Sequence, residues 1–263
     1  MAERKNPTAT LPSGTVELTN NSGKNYTVEI GTSVTPSWKT TFSAGSYTYG
    51  PATGSTSTAA TVSLSTDVNN KTDIAAGAMN NKTGSLSSFI VSNTDKHYVK
   101  VTYGWNAGTS TPVDNFGDEY TDTNNNLPIQ AASNKSDTST YYIQGYRKAF
   151  YGSKTSPVAL NSANIRQLTG SDAAGGSVSV TIVEGAKQVI IAVPSNRKVT
   201  KVADEAAFGT DIFEKFDSTT VSVGGADATA SSTGNYATNY TVYTYTPSAA
   251  LGANTYTVTL ANA

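Results

Sequence analysis

The chain has no cysteine, one histidine, two methionines and two tryptophans in 263 residues. Without cysteine there is no disulfide to staple the fold and no thiolate zinc site. His97, with Asp95 two positions before it, invites a metal or acid–base role. A metal would need further ligands, and a Ser-His-Asp arrangement would need its partners from elsewhere, so a surface turn residue is the favoured reading. Charge is scarce as well: 14% of residues are Asp, Glu, Lys or Arg, against about a quarter in a typical domain. The net charge of −1 supplies no electrostatic footprint for nucleic acid or an anionic membrane surface. No apolar run approaches the length of a membrane span. The opening MAERKNPTAT lacks the apolar core of a secretory signal. No cofactor, metal or catalytic constellation is expected.

What is present is Tyr, Gly, Ser, Thr and Asn, with 15 tyrosines and 22 glycines. That balance suits many short strands joined by turns. The length fits one large β-sandwich or two of ordinary size.

The clearest organisation lies between Tyr141 and Pro194. Tyr141, Ile143 and Gly145 alternate with Tyr142 and Gln144 as in a strand that runs on to Tyr151. Ser156 or Pro157 opens a helix of about ten residues, carried by Leu160, Ala163, Ile165 and Leu168 and ended by Gly170. Such a helix is too short to persist alone, so Ile165 and Leu168 should be buried on a sheet. Val178, Val180 and Ile182 alternate with small polar residues, and a Glu184-Gly185 corner leads into Val189–Val193. This predicts a strand–turn–strand pair at the centre of a sandwich, extended by Val199–Val202.

Elsewhere, residues 1–13 read as a polar arm that lies on a neighbour in an assembly. Val16 and Leu18 and then Tyr26, Val28 and Ile30 suggest a hairpin across Asn20–Gly23. Further strands are expected around Trp38, Tyr47–Tyr49, Val62, Phe89–Val91 and Tyr98–Tyr103. Residues 14–105 then form an Ig-like sandwich. Residues 106–139 lack periodicity and read as an interdomain segment with Phe116, Tyr120, Leu127 and Ile129 as docking points. Residues 140–263 form a second sandwich, closed by a hairpin of Tyr240–Tyr245 with Tyr256–Leu260. The fold class is therefore all-β: two Ig-like sandwich domains with one short helix in the second.

Two clusters carry candidate chemistry. Asp114, Asp118, Glu119 and Asp122 offer oxygens at the spacing of a calcium loop but do not fit the EF-hand pattern; a solvated loop is favoured, and a glycosidase pair would depend on spatial separation. Trp38, Tyr47, Tyr49 and Trp105 could present flat faces to a sugar or a protein. Trp38 is favoured as core. Trp105, Tyr47, Tyr49 and Tyr120 stand as the candidate contact residues.

The segments VEIGTSVTP and TFSAGSYTYGPATG (28–36 and 41–54) are followed by GYRKAFYG, LNSANIRQLTGS and VTIVEGAKQVIIAVPSNRKVTKV (within 145–202), then NYTVYTYTP and NTYTVTL. In this order they resemble a family of tailed-bacteriophage virion structural proteins. The resemblance implies an Ig-like N-terminal module, a C-terminal β-sandwich and a place in the tail, a fibre or the neck. It also implies a homo-oligomer whose partners are other virion proteins, with no catalytic motif. A polar β composition with no export signal fits a protein made in the host cytoplasm and released in the virion. The alternatives are a head-surface decoration protein and an adhesin module that binds a host-surface receptor or glycan.

Overall fold

The computed structural model describes residues 2–7, 9–10, 13–19, 26–43, 46–47, 49, 57–65, 72–76, 83–105, 113–119 and 135–263. At 9–10, 13, 19, 43, 46–47, 57–65, 72–76, 102–105 and 135–140 the description is of the backbone alone. The fold is all-β: strands hold 55% of the residues and helix 6%. The chain divides into two compact units, neither of them continuous in sequence.

Unit 1 comprises Met1–Tyr26, Val34–Phe89 and Lys96–Ile143. Here Ser13–Thr19 pairs antiparallel with Ser37–Ser43, which also pairs with Thr83–Ser85. The partner of Val16 and Leu18 is therefore the strand of Trp38 and Thr40, not the expected hairpin mate at Tyr26–Ile30. Both faces of the prediction failed for one reason: a turn-forming NNSGK permits a hairpin but does not choose its partner. Trp38 is 7% exposed. Its indole lies so close to Gly84 that a Cβ there would sit 2.5 Å from the ring. Lys96–Trp105 pairs with Ser57–Ser65, and that strand with Thr72–Ala76.

Unit 2 comprises Thr27–Ser33, Ile90–Asp95 and Gln144–Ala263. From residue 148 it holds nine strands: β1 Lys148–Lys154, β2 Thr169–Asp172, β3 Ser177–Ile182, β4 Gln188–Pro194, β5 Arg197–Asp204, β6 Thr210–Asp211, β7 Asp217–Val223, β8 Thr238–Tyr245 and β9 Asn254–Asn262. They form a five-stranded sheet in the order β2-β1-β4-β8-β7 and a four-stranded sheet in the order β3-β9-β5-β6. All the pairings are antiparallel.

This topology corrects three expectations. β3 and β4 are not partners, because the Glu184-Gly185 corner carries the chain from one sheet to the other. The same holds across Ser195-Asn196, so β5 does not extend the sheet of β4. β8 and β9 likewise lie in different sheets and make no terminal hairpin. Alternation reveals which face of a strand is buried but carries no information on which strand lies beside it.

The burial pattern explains the sequence pattern. β3 alternates exposed and buried along its whole length, as an edge strand with one solvated face should. β4 is buried at every position. Val189, Ile191 and Val193 point between the sheets, among Val180, Ile182, Val202, Tyr256 and Val258. Ile190 and Ala192 point the other way and meet Phe150, Ile165, Tyr240 and Val242. The second layer is the β1–β2 connection, whose helix α1 is only Ser162–Arg166. Asn161 caps it, its side chain accepting from the Asn164 amide at 2.9 Å. The expected ten-residue helix is shorter because Pro157–Leu160 is non-helical, with Val158 N–H donating to the Gln188 side chain at 2.8 Å. Gly170 is a strand residue of β2 and not a C-cap. Ile165 is nonetheless fully buried, and Leu168 packs beside it.

Two outlying segments complete the unit. Ile30 N–H donates to Tyr146 O at 3.0 Å, Gly31 N–H to Val91 O at 2.8 Å, and Ala226 N–H to Ile30 O at 2.8 Å. Gly145 has no room for a side chain, since a Cβ would lie 2.0 Å from Asn93 O. By sequence 27–33 and 90–95 belong within the first module, whereas both segments pack in unit 2.

Candidate functional site

The acidic cluster is a tied turn. Asp114 is 3% exposed, and its Oδ1 accepts from the amides of Phe116 at 2.8 Å and Asp118 at 3.1 Å. Arg4 Nε meets the other oxygen at 2.8 Å, and the same guanidinium bonds Asp118. Burial pushes the Asp114 carboxyl up, but the amides of Phe116 and Asp118, the Arg4 charge and the Gly117 amide together hold it below its ordinary value. Lys5 N–H donates to Asn115 Oδ1 at 2.7 Å, and Asn115 Nδ2 donates to Glu3 O at 3.0 Å. The N-terminal arm thus docks on a turn of its own unit, where the sequence suggested a neighbouring molecule. Glu119 forms an isolated bridge with Val113, and Asp122 lies outside the described residues. Among the described residues, no three His, Asp or Glu side chains are placed to hold a metal ion.

His97 is a strand residue and not a turn residue. Its ring lies 6.0 Å from that of Phe89, and its Nε2 is buried without a hydrogen-bond partner among the described residues. Of the candidate aromatics, Tyr49 is half-buried, Tyr47 and Trp105 are described by backbone only, and Tyr120 lies outside the described residues. Phe116 is exposed, and Leu127 and Ile129 also lie outside the description.

A second buried carboxylate, Glu29, lies in unit 2, in a network that the sequence reading missed. Glu29 accepts from Arg166 Nη1 at 2.7 Å and Nη2 at 3.2 Å. Lys148 Nζ lies 3.3 Å from the same carboxylate. Arg166 also donates to Gly224 O at 2.8 Å and stacks over Phe150. Both carboxylate oxygens of Glu29 face cations, so this is a clamp that fixes 27–33 to α1 and β1. Only three dimensions reveal it, because Glu29 and Arg166 are 137 residues apart.

Two surface features of unit 2 are open. The first is the β5–β6 turn. Phe208 is fully exposed and has φ 54° and ψ 39°, the left-handed region that a bulky residue rarely occupies. The turn is held rigidly. Ala207 N–H donates to Asp204 Oδ1 at 3.2 Å, Gly209 N–H to Asp204 O at 2.8 Å, and Thr210 Oγ1 to Ala207 O at 2.6 Å. Asp211 accepts from the amides of Phe213 at 3.0 Å and Val202 at 3.1 Å. Those two bonds hold its carboxyl below the ordinary value against the opposing effect of burial, with help from Lys201.

The second is a groove of about 400 Å³ whose lining includes Tyr146, Arg147, Asp172, Ala174, Pro194 and Arg197. Arg147 Nη1 donates to Tyr236 O at 2.5 Å, and Arg197 Nη2 to Gly175 O at 2.8 Å. Asp172 Oδ1 accepts from the Ala174 amide at 2.9 Å. The groove has cations to hold an anion or a carboxylate rim, but it has no nucleophile with a base beside it.

Comparison of the chain with protein-family models, with characterised proteins and with solved structures returns no match.

Proposed function

We propose that the chain is a structural protein of a tailed-bacteriophage virion, in the tail, a fibre or the neck, acting by assembly with other virion proteins through its β-sandwich surfaces. The observation that carries this reading is the ordered run GYRKAFYG, LNSANIRQLTGS and VTIVEGAKQVIIAVPSNRKVTKV within residues 145–202. Its order resembles that family, and it covers α1 and β4 of unit 2 with parts of β1, β2, β3 and β5.

The surface supports the same reading. A fully exposed aromatic on a strained, hydrogen-bonded turn suits a protein that fits against neighbours. No helix among the described residues is long and apolar enough to cross a membrane.

The test is where the chain goes. An antibody raised against the purified protein should label particles pelleted from a lysate at one fixed position, visible by immunogold microscopy. Recovery of the chain only from the particle-free supernatant would refute the proposal. Glycan-array binding lost on Trp105→Ala would replace assembly with receptor recognition.

A further inference from the structure

The exposed Phe208 and the arginine-bearing groove belong to one sandwich and stand at opposite ends of one strand. Arg197 opens β5 and lines the groove, while Asp204 closes β5 and caps the turn that presents Phe208. Seven residue steps of extended chain separate these ends by about 23 Å.

Their chemistries are complementary. Between residues 204 and 215 the turn carries Asp204, Glu205, Asp211 and Glu214 against Lys215 alone, which is four negative charges, one positive and a net −3. The groove carries Arg147 and Arg197 against Asp172, which is two positive, one negative and a net +1. Its apolar lining comes from Tyr146, Ala174 and Pro194. A pocket of roughly 150 Å³ accepts a benzene ring, so the groove, at about 400 Å³, has room for a phenyl side chain and part of its turn.

We infer that Phe208 of one copy of this chain seats in the Arg147–Arg197 groove of the next, with the acidic residues of the turn facing the arginines. A patch that fits a different patch on an identical neighbour makes a heterologous contact. Repeated, it closes into a ring or runs on as a filament. The left-handed backbone at Phe208 fits this role. The fold tolerates strain in order to hold a large apolar ring in water, where it does nothing for the isolated chain. The bonds that fix the turn mean that little ordering is required on docking. The inference rests on the assembly reading above and specifies the partner as a second copy.

The experiment uses the purified full chain in sedimentation velocity over a concentration series. Wild type should grow in mass with concentration. Phe208→Gly should weaken association by about 30-fold or more, as the loss of a central aromatic anchor does. Its melting temperature should hold or rise, because glycine relieves the positive φ. Ala174→Trp, which fills the groove from an exposed position, should weaken association by at least as much. Mixed one to one, the two variants retain one knob and one groove between them and should form a dimer and nothing larger. A monomeric wild type, unimpaired association in either variant, or no dimer in the mixture would overturn the inference. Particle labelling that persists alongside any of those results would leave the virion reading standing and remove only the self-partner.

Discussion

Breaking the Glu29 clamp should destabilise unit 2 by an amount that depends on which partner is removed. Glu29 is 9% exposed and Arg166 18%, so neither side chain recovers full hydration when its partner is lost. Removing one partner of such a pair costs about 3–5 kcal/mol. Glu29→Ala leaves Arg166 and Lys148 facing each other without an anion, so it falls within that range, at about 4 kcal/mol. Arg166→Met leaves Lys148 Nζ 3.3 Å from the carboxylate and retains packing over Phe150, so about 2 kcal/mol is expected. The double variant should be less unstable than the sum, with a coupling of about 2 kcal/mol. Urea unfolding gives the energies, and hydrogen exchange at the amides of Ile30, Gly31 and Ala226 locates them, because those amides bond Tyr146, Val91 and Ile30. In a unit of this size each 1 kcal/mol lowers the melting temperature by about 3–5 °C. A coupling under about 0.5 kcal/mol, the level of an exposed pair, would refute the reasoning. So would unchanged protection at Ile30 in Glu29→Ala.

Other perturbations have equally definite outcomes. Burial pushes the Tyr240 hydroxyl up to about 12, with Arg147 and Arg166 opposing the shift and Glu29 adding to it. A raised value stabilises the fold below the ordinary 10.0 and is lost as pH climbs from 10.0 to about 12; Tyr240→Phe should flatten the alkaline limb of a melting-temperature profile, and an identical limb would refute this. Asp114 is held low, so its contribution is present above its ordinary 3.8 and is lost as pH falls below it. Protection factors at Phe116 and Asp118, corrected for the intrinsic rate, should therefore fall in acid, and Asp114→Asn should show reduced protection already at neutral pH. Gly145→Ala should cost about 3 kcal/mol or more through overpacking, because its Cβ would meet Asn93 O at 2.0 Å; wild-type stability in thermal unfolding would mean that 90–95 does not pack there.

The all-β class was legible because short alternating runs, few charges and abundant turn formers all agree on it. The two-sided burial of Val189–Val193 was legible as an unbroken apolar run, and Ile165 as a residue needing cover. Strand neighbours were not legible. Glu184-Gly185 and Ser195-Asn196 look like hairpin corners, yet both join strands of different sheets. A short turn is compatible with either, and the choice is made by which inner face completes the core. At the candidate site the sequence drew attention to His97 and the Asp114 loop because residue types suggest chemistry. The structure ties Asp114 and Asp118 to Arg4 and to the turn's own amides, and sets the imidazole beside Phe89 with the rings tilted. In the sequence Phe208 reads only as an apolar position beside Ala206 and Ala207 before a Gly209-Thr210 turn, since neither its exposure nor its positive φ is visible without coordinates.

The discontinuity of unit 2 has a consequence for how this chain must fold. A β-sandwich cut from residues 140–263 would contain all nine strands and most of its core, yet would lack Glu29, Ile30 and Val91. Arg166 and Lys148 would then face each other with no anion, and the amides that 27–33 and 90–95 contribute would have no place in the unit. Closing loops of this length adds little entropy cost beyond that of shorter ones, since the penalty grows only with the logarithm of length. The delay is kinetic, because Glu29 must wait for Arg166, 137 residues later, before either charge is neutralised. The clamp therefore makes completion of the sandwich depend on segment 27–33 docking against α1 and β1.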